Sequence, residues 1–204
     1  MSFFSSRAQD DICEIRWHGR GGQGAVTSAK FLAQAAYHNG FRGVASAPSF
    51  GAERRGAPVT ASTRLSSAPL RFFSQVEYPD LVVVLDETLL ECNDATEGLR
   101  EGGWIVINSP REPADMGIKG AFSVATADAT AVARELDLTL AGGVIVNTPM
   151  LGALARATEL VTLDDIRETL VESFRARVAA KNALAAQMTY ERTKLAAVQG
   201  RQGA

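Results

Sequence analysis

Cysteine and histidine are scarce in this chain, which contains two of each among 204 residues. An iron–sulfur cluster needs several closely spaced thiolates, and a structural zinc site usually needs four ligands. Cys13 and Cys92 lie far apart in the sequence, and His18 and His38 are isolated from them. The sequence therefore predicts no metal site within this chain. So few cysteines also favour a reducing, cytoplasmic location.

Long apolar runs and an excess of positive charge are absent as well. No apolar run approaches the roughly 18 residues of a membrane-spanning helix, and residues 1–11 lack the apolar segment of a signal peptide. The 21 basic and 23 acidic residues give a net charge of −2. Binding to nucleic acid depends on basic charge. We therefore expect neither a membrane nor a nucleic acid as a partner.

The apolar and charged fractions, 46% and 22%, are those of an ordinary folded domain. At this length a single domain is the default expectation. We predict one domain over residues 12–186, preceded by a flexible tail at 1–11. Basic residues predominate from residue 175 onward, so we predict a helical, basic tail at 187–204.

Hydrophobic periodicity predicts alternating strands and helices. The predicted strands cover 12–17, 41–47, 58–65, 81–85, 104–108 and 122–126. The predicted helices cover 23–38, 87–100, 127–136 and 147–160, and a last one begins at Thr162 with Ile166, Leu170, Val171, Phe174 and Val178 on one side. The continuous apolar runs at 81–85 and 104–108 are typical of parallel strands that helices cover on both faces. This pattern predicts a three-layer α/β/α domain with a mainly parallel or mixed sheet, a Rossmann-like first β–α unit and C-terminal helices.

The most specific stretch is a glycine-rich turn between the first strand and the first helix. Its residues are Gly19, Arg20, Gly21, Gly22, Gln23 and Gly24. Glycines allow positive φ and close approach of a ligand, and the first amides of the following helix attract anions. We interpret this glycine turn as an anion site formed by Arg20 and the amides of residues 22–24. A tight connection without a ligand is the alternative.

The G-x-G-x-x-G spacing also occurs in dinucleotide-binding folds, but a second element of that fingerprint is missing. Such folds place an acidic residue about 20 residues further on to bind a ribose hydroxyl. No Asp or Glu occurs between Glu14 and Glu53. Arg42 could meet a 2′-phosphate, but it lies at the start of the predicted second strand rather than at its end. A free-standing dinucleotide-dependent dehydrogenase therefore remains only an alternative.

The glycine turn resembles the GxGGQG signature of the gamma subunit of 2-oxoacid:ferredoxin oxidoreductases. Residues 48–56 are similar to the SYGxExRGG segment of this family, with Phe50 in place of Tyr and Ala57 where a second Gly is usual. Residues 147–153 resemble its N-x-x-x-LG-A segment, and Asn182 resembles its late Asn. The resemblance covers the chain from about residue 13 to residue 185.

This resemblance implies a non-catalytic subunit of a complex that oxidatively decarboxylates a 2-oxoacid. Thiamine diphosphate, Mg²⁺ and iron–sulfur clusters would reside in alpha-, beta- and delta-type partner subunits, which would pass electrons to ferredoxin or another acceptor. Coenzyme A would usually accept the acyl group. This chain lacks a GDG thiamine diphosphate motif, a cysteine cluster and a nucleophile elbow, so we assign it no catalytic residue and no cofactor of its own. A purely structural assembly subunit is the alternative.

The resemblance also implies two groups of site residues. The glycine turn would bind an anion or coenzyme A, and a second group would contact a partner or the ligand: Phe50, Glu53, Arg54, Arg55 and Asn147. An arginine at 54 or 55 suits a partner carboxylate or a phosphate because its planar fork binds two oxygens at once. The alternative is a surface ion pair with Glu53, which would contribute little. Asp86 is interpreted as a strand-end or helix-capping residue.

Overall fold

The structure, a computed structural model, describes residues 12–48, 56–70, 75–92, 95–140 and 142–196. The strands are β1 (Cys13–Arg20), β2 (Gly43–Pro48), β3 (Pro58–Ser66), β4 (Leu81–Val84), β5 (Trp104–Asn108), β6 (Ser123–Ala127), β7 (Thr139–Leu140), β8 (Gly143–Val144) and β9 (Lys194–Ala196). The helices are α1 (Ala25–His38), α2 (Leu89–Cys92), α3 (Ala129–Glu135), α4 (Asn147–Thr158), α5 (Leu163–Ser173) and α6 (Ala176–Arg192), with a 3-10 helix at Pro113–Met116.

Seven strands form one sheet in the order β2-β3-β1-β4-β5-β6-β9. The four central strands β1, β4, β5 and β6 are parallel, whereas β3 runs antiparallel to both of its neighbours and β9 runs antiparallel to β6. The predicted α/β fold with a mainly parallel, mixed sheet is therefore confirmed. β7 and β8 form a separate hairpin.

The two faces of the sheet are covered very unequally. Successive residues of β4 point to opposite faces, so Val83 packs with α1 and α4 while Val82 and Val84 face the other side. The first face contains the larger core, to which all helices except α2 contribute. The second face is covered by α2, the 3-10 helix and turns that supply Ala95 and Leu99. The second helical layer is thus thin.

The predicted helix at 87–100 is wrong, because α2 is the one helix that the described residues of that segment form. Gly98 has φ +73°, and a Cβ placed on it would lie 2.3 Å from the carbonyl oxygen of Glu77. The chain is therefore folded tightly against the segment that precedes β4, in a conformation that a continuing α-helix does not contain.

The predicted single helix from Thr162 to Val178 is also wrong, although its start is confirmed. Thr162 and Asp165 form a capping box at the beginning of α5. The helix ends at Ser173, and α6 begins as a separate helix. Val171 is 63% exposed and Val178 is 44% exposed, whereas Ile166 and Leu170 are buried. Val171 follows Leu170 by one residue, which places it about 100° around the helix and outside the buried face.

Residues 176–196 pack into the domain. Helix α6 runs through the boundary that we had placed between residues 186 and 187. Lys194–Ala196 form the edge strand β9 rather than the helix expected there, because they pair with β6. Within the described residues, no helix is long and apolar enough to cross a bilayer.

Candidate functional site

The glycine turn connects the end of β1 to α1 through backbone conformations that require glycine. Gly24 is the N-cap of α1 with φ 90°, and Gly22 has φ 96°. Both values lie in the left-handed region, which other residues rarely adopt. Gly21 donates its amide to Ala57 O (2.9 Å) and accepts the amide of Gly56 (3.1 Å). The turn is therefore fixed against the chain segment that leads into β3.

Gln23 closes the turn with both ends of its side-chain amide. Its Oε1 accepts the backbone N–H of Arg20 (2.8 Å), and its Nε2 donates to Oδ2 of Asp86 (2.9 Å). Gln23 thus joins the turn to the end of the neighbouring strand β4. This structural role was not predicted from the sequence.

Arg20 is bound within the chain rather than presented as a free cation. Its guanidinium donates to Asp86 Oδ2 (3.2 Å), Thr88 Oγ1 (2.8 Å) and Gly56 O (3.1 Å). Burial raises the pKa of Asp86, but hydrogen bonds from Thr88 and Gln23 and the charge of Arg20 outweigh it, so the pKa lies below its usual value. Asp86 is therefore ionised at neutral pH and compensates the charge of Arg20.

Asn147 lies directly against the glycine turn, which the sequence alone did not indicate. A Cβ placed on Gly24 would lie 3.0 Å from the Cβ of Asn147, and Ser28 Oγ donates to Asn147 O (3.4 Å). Asn147 is the first residue of α4, and its Oδ1 accepts the amide of Thr148 (2.8 Å). The structure therefore brings together two segments that we had singled out separately.

The amino ends of α1 and α4 meet at this point, and neither is capped by the side chain of its N-cap residue. The N-cap residues are Gly24 and Val146, which have no side-chain oxygen that could accept an amide. Asn147 Oδ1 accepts the Thr148 amide and Pro149 has no N–H, so the end of α4 offers its dipole rather than free amides. An anionic group at this place would therefore meet the first amides of α1 and the positive ends of two helix dipoles.

A cleft of about 620 Å³ opens beside the glycine turn. Gly22 and Gln23 of the glycine turn line it, and the β7–β8 hairpin contributes Leu140 and Val144. The cleft lies at the carboxyl ends of the parallel strands, where ligands bind in open α/β sheets. Its size is within the range of small-molecule sites.

Several polar side chains that line the cleft are hydrogen-bonded within the chain. Asn108 donates to Leu85 O and Thr130 Oγ1, both at 2.9 Å, and accepts the Thr130 amide (3.2 Å). Asp128 caps α3 by accepting the amide of Ala131 (2.8 Å). These contacts hold the loops after β4, β5 and β6 in one arrangement.

Charged side chains of both signs also line the cleft. The carboxylates of Asp86, Glu87 and Asp128 and the guanidinium of Arg134 belong to the lining. Carboxylates accept hydrogen bonds from hydroxyl and amino groups. These carboxylates could therefore accept hydrogen bonds from the donor groups of a ligand in the cleft.

His18 is not arranged as a catalytic base. It lies within β1 rather than in the turn, and its Nε2 accepts a hydrogen bond from Arg16 Nε (3.1 Å). Burial, and then the charge of Arg16, lower the pKa of His18 to about 4. His18 is therefore a neutral, buried acceptor at physiological pH.

The cysteines do not fit the iron–sulfur clusters implied by the resemblance. Cys13 is fully buried beneath α1 in the main core. Two cysteines cannot supply the four thiolates of such a cluster. No electron-transfer step is therefore assigned to this chain.

Four predicted site residues, Phe50, Glu53, Arg54 and Arg55, lie outside the described residues. The segment that contains them ends at Gly56, whose carbonyl accepts from Arg20 and whose amide donates to Gly21. Their roles stay predictions.

Comparison with known proteins identifies relatives along almost the whole chain. The family model described as pyruvate ferredoxin/flavodoxin oxidoreductase matches residues 14–192. The common subunit gamma of the pyruvate and ketoisovalerate oxidoreductases of Thermococcus litoralis is 45% identical over 185 residues, which cover 89% of this chain and 97% of the relative.

Solved structures agree with this assignment. The crystal structure of the pyruvate oxidoreductase subunit PORC of Thermotoga maritima has a TM-score of 0.78 and 38% identity, and the match covers 91% of this chain and 98% of that one. A 2-oxoglutarate:ferredoxin oxidoreductase of Magnetococcus marinus, solved with 2-oxoglutarate, coenzyme A and succinyl-CoA bound, shares the fold alone. Its TM-score is 0.67 at 22% identity, over 88% of this chain and 31% of that one. The chain therefore belongs to the pyruvate ferredoxin/flavodoxin oxidoreductase family, where its relatives are gamma subunits.

Proposed function

We propose that this chain is the gamma subunit of a complex that oxidatively decarboxylates a 2-oxoacid. Alpha-, beta- and delta-type subunits would hold thiamine diphosphate, Mg²⁺ and the iron–sulfur clusters, and they would pass electrons to ferredoxin or another acceptor. Coenzyme A would receive the acyl group. The 45% identity to a subunit shared by pyruvate and ketoisovalerate oxidoreductases supports a small 2-oxoacid of this kind as the substrate.

Within this complex, the proposed task of the chain is to bind an anionic part of coenzyme A at the mouth of the cleft. The observation that carries this proposal is the meeting of the amino ends of α1 and α4, where Gly24 touches Asn147. The first amides of α1 would bind a phosphate group, while Leu140 and Val144 offer apolar surface to an extended acyl carrier.

In this proposal Arg20 acts as a positioning residue. Its contacts with Asp86 and Gly56 hold the turn against the residues that follow β4 and the segment that leads into β3. Arg54 and Arg55 are the proposed direct contacts, either with a phosphate of coenzyme A or with a carboxylate of a partner subunit. Glu53 and Phe50 belong to the same proposed contact segment.

The dinucleotide-dependent dehydrogenase is disfavoured by the strand order. In dinucleotide-binding folds the second strand lies parallel beside the first, and an acidic residue at its end holds the ribose. Here the place beside β1 is taken by the antiparallel strand β3, and β2 lies at the edge of the sheet. Arg42 precedes β2 and bonds through its amide to Ser66 O (3.1 Å). The geometry for ribose recognition is therefore missing.

The substitution Asn147→Asp in the intact complex tests the proposed site. Aspartate keeps an oxygen that can accept the Thr148 amide, and it places a negative charge beside the amides that would bind the phosphate. We expect the KM for coenzyme A to rise about tenfold or more, which corresponds to about 1.4 kcal/mol of lost binding, while kcat at saturation changes little.

A matched control adds the same charge elsewhere. Gln187 lies exposed on α6, where it contacts Glu191. Gln187→Glu should leave the KM for coenzyme A unchanged. An Asn147→Asp complex of full subunit composition with wild-type kinetics would instead support a purely structural subunit.

A further inference from the structure

Three side chains with metal-binding atoms meet on the surface where α1 ends against α5. His38 is the last residue of α1, and Glu168 and Glu172 lie one turn apart on α5. His38 Nδ1 lies 3.7 Å from Glu168 Oε1, and Nε2 lies 3.2 Å from Glu172 Oε2. One ligand atom from each residue falls within 4.8 Å of the others. Within the described part of the chain, this is the group of His, Cys, Asp and Glu side chains that converges in this way.

Each ring nitrogen of His38 faces a carboxylate oxygen, one from Glu168 and one from Glu172. Imidazole nitrogens and carboxylate oxygens are both ligands of divalent transition metals, so a cation between them would be bound by both. Hydrogen bonding between the ring and the carboxylates without a metal is the alternative, and the metal titration below distinguishes the two.

The surroundings of the His38 ring also favour a bound cation. The carboxyl end of α1, where His38 lies, carries the negative end of the helix dipole. Asp165 is close by and accepts a hydrogen bond from Asn39 at the end of the same helix (2.7 Å). The ring itself is well covered, with a side-chain exposure of 15%, whereas Glu168 and Glu172 are 62% and 55% exposed. The imidazole is thus held in place while the carboxylates can adjust to an ion.

We propose that His38, Glu168 and Glu172 form a site for a divalent transition-metal ion of the zinc type. One imidazole and two carboxylates form a ligand set that Zn²⁺ accepts, and water completes the coordination at an exposed site. Mg²⁺ and Ca²⁺ prefer oxygen ligands alone, so they fit this set less well. The bound ion would tie the end of α1 to α5, beside the edge-to-face contact of Phe31 with Phe174 at 5.6 Å. Its role would be to brace the helix that begins at the glycine turn.

The test uses the full chain after removal of metal by a chelator. Calorimetric titration at neutral pH should show one Zn²⁺ bound per chain, and Zn²⁺ should raise the thermal unfolding temperature because it binds the folded state. Mg²⁺ should do neither. Co²⁺ used in place of Zn²⁺ should produce a visible absorption band, which reports directly on the metal ligands.

Three variants assign the binding to these residues. Glu168→Gln and Glu172→Gln should each weaken Zn²⁺ binding at least about tenfold, and His38→Gln should abolish it together with the cobalt band. Asp164→Asn is the matched control, because Asp164 lies on the same helix and pairs with Arg167 instead (2.9 Å). It should bind Zn²⁺ like the wild type.

The opposite results are equally clear. The proposal is overturned if the wild-type chain binds no stoichiometric Zn²⁺. It is overturned as well if Glu168→Gln and Glu172→Gln both retain wild-type affinity. It is also overturned if Asp164→Asn loses affinity to the same degree as they do. Glu168→Gln and Glu172→Gln still test the proposal if His38→Gln unfolds, because the side chains of Glu168 and Glu172 are exposed and tolerate the change.

Discussion

At the level of single residues, the glycine turn depends on side chains that its motif does not contain. Asp86 at the end of β4 receives hydrogen bonds from both Arg20 and Gln23. The motif predicted the turn, but it did not predict that Arg20 would be neutralised by a residue from the neighbouring strand. That pairing depends on the parallel arrangement of β1 and β4, which places their carboxyl ends at one edge of the sheet.

The first prediction concerns the charge at this edge. Arg20→Ala would leave the carboxylate of Asp86 unpaired beside the cleft, so it should repel an anionic ligand. We expect a higher KM for coenzyme A in the complex, without dissociation of the subunits. Steady-state kinetics and analytical gel filtration of the variant complex measure both effects.

A double variant separates lost charge balance from lost contacts. Arg20→Ala combined with Asp86→Asn removes both charges, and it should recover much of the affinity if the unpaired carboxylate causes the loss. If the rise in KM of the double variant instead equals or exceeds the sum of the rises in the two single variants, Arg20 acts through direct contact with the ligand.

The second prediction concerns the buried imidazole of His18. Its pKa is about 4 in the folded chain against 6.5 as the reference value, so the unfolded chain binds the proton more readily between these two values. His18 therefore does not lower the free energy of unfolding above about pH 6.5, and this free energy falls as the pH drops toward 4. At pH 5 the loss from this one group should be about 2 kcal/mol.

The variant His18→Gln isolates this contribution, because glutamine offers an oxygen to Arg16 but does not titrate. Urea unfolding of both proteins at about pH 7 and about pH 5 measures the difference. The variant should lose less stability than the wild type on acidification. Parallel losses in the two proteins would exclude His18 as the acid-sensitive group.

At the level of elements, the packing of α4 against α6 depends on one glycine. A Cβ placed on Gly152 would lie 1.9 Å from the carbonyl oxygen of Ala186. The two helix backbones are therefore in direct contact, and no side chain fits between them. The LG-A pattern at 151–153 marked this position, but the sequence could not show which helix would lie against it.

The third prediction follows from this contact. Gly152→Ala should destabilise the chain by about 1–3 kcal/mol, since the overpacking outweighs the gain in helix propensity. Gly143→Ala is the control, because the nearest atom to its Cβ position is 3.6 Å away, and its effect should stay within about 0.5 kcal/mol. Chemical denaturation measures both. A Gly152→Ala chain as stable as the wild type would contradict the close helix contact.

Elements were predictable where their signals are local. The capping box at Thr162 and the apolar runs of β4 and β5 are confirmed. The helix expected at 87–100 was predicted wrongly, and residues 194–196 of the predicted helical tail form the strand β9 instead. Both outcomes depend on distant parts of the chain. β9 exists only through its pairing with β6, and Gly98 is folded against Glu77.

At the level of the whole molecule, the sheet order explains why the chain resembles a dinucleotide-binding fold only at its first β–α unit. The antiparallel hairpin of β2 and β3 occupies the side of β1 where a parallel second strand would lie. No local pattern distinguishes these two arrangements. The site likewise depends on the whole fold. The glycine turn and Asn147 were each predicted as site residues from the sequence, but only the fold brings them into contact.

The whole chain also sets the limit of what the subunit can do alone. The composition lacks the thiolates for an iron–sulfur cluster. Its proposed activity therefore requires partner subunits. Relatives that match nearly end to end are themselves gamma subunits.

The most direct test of this account is the native mass and visible absorption of the chain as isolated from its source. The fourth prediction is a brown heteromer that contains this chain together with larger subunits, and a chain that is colourless once it has been separated from them. A colourless, self-sufficient monomer that turns over a nicotinamide cofactor would contradict the account.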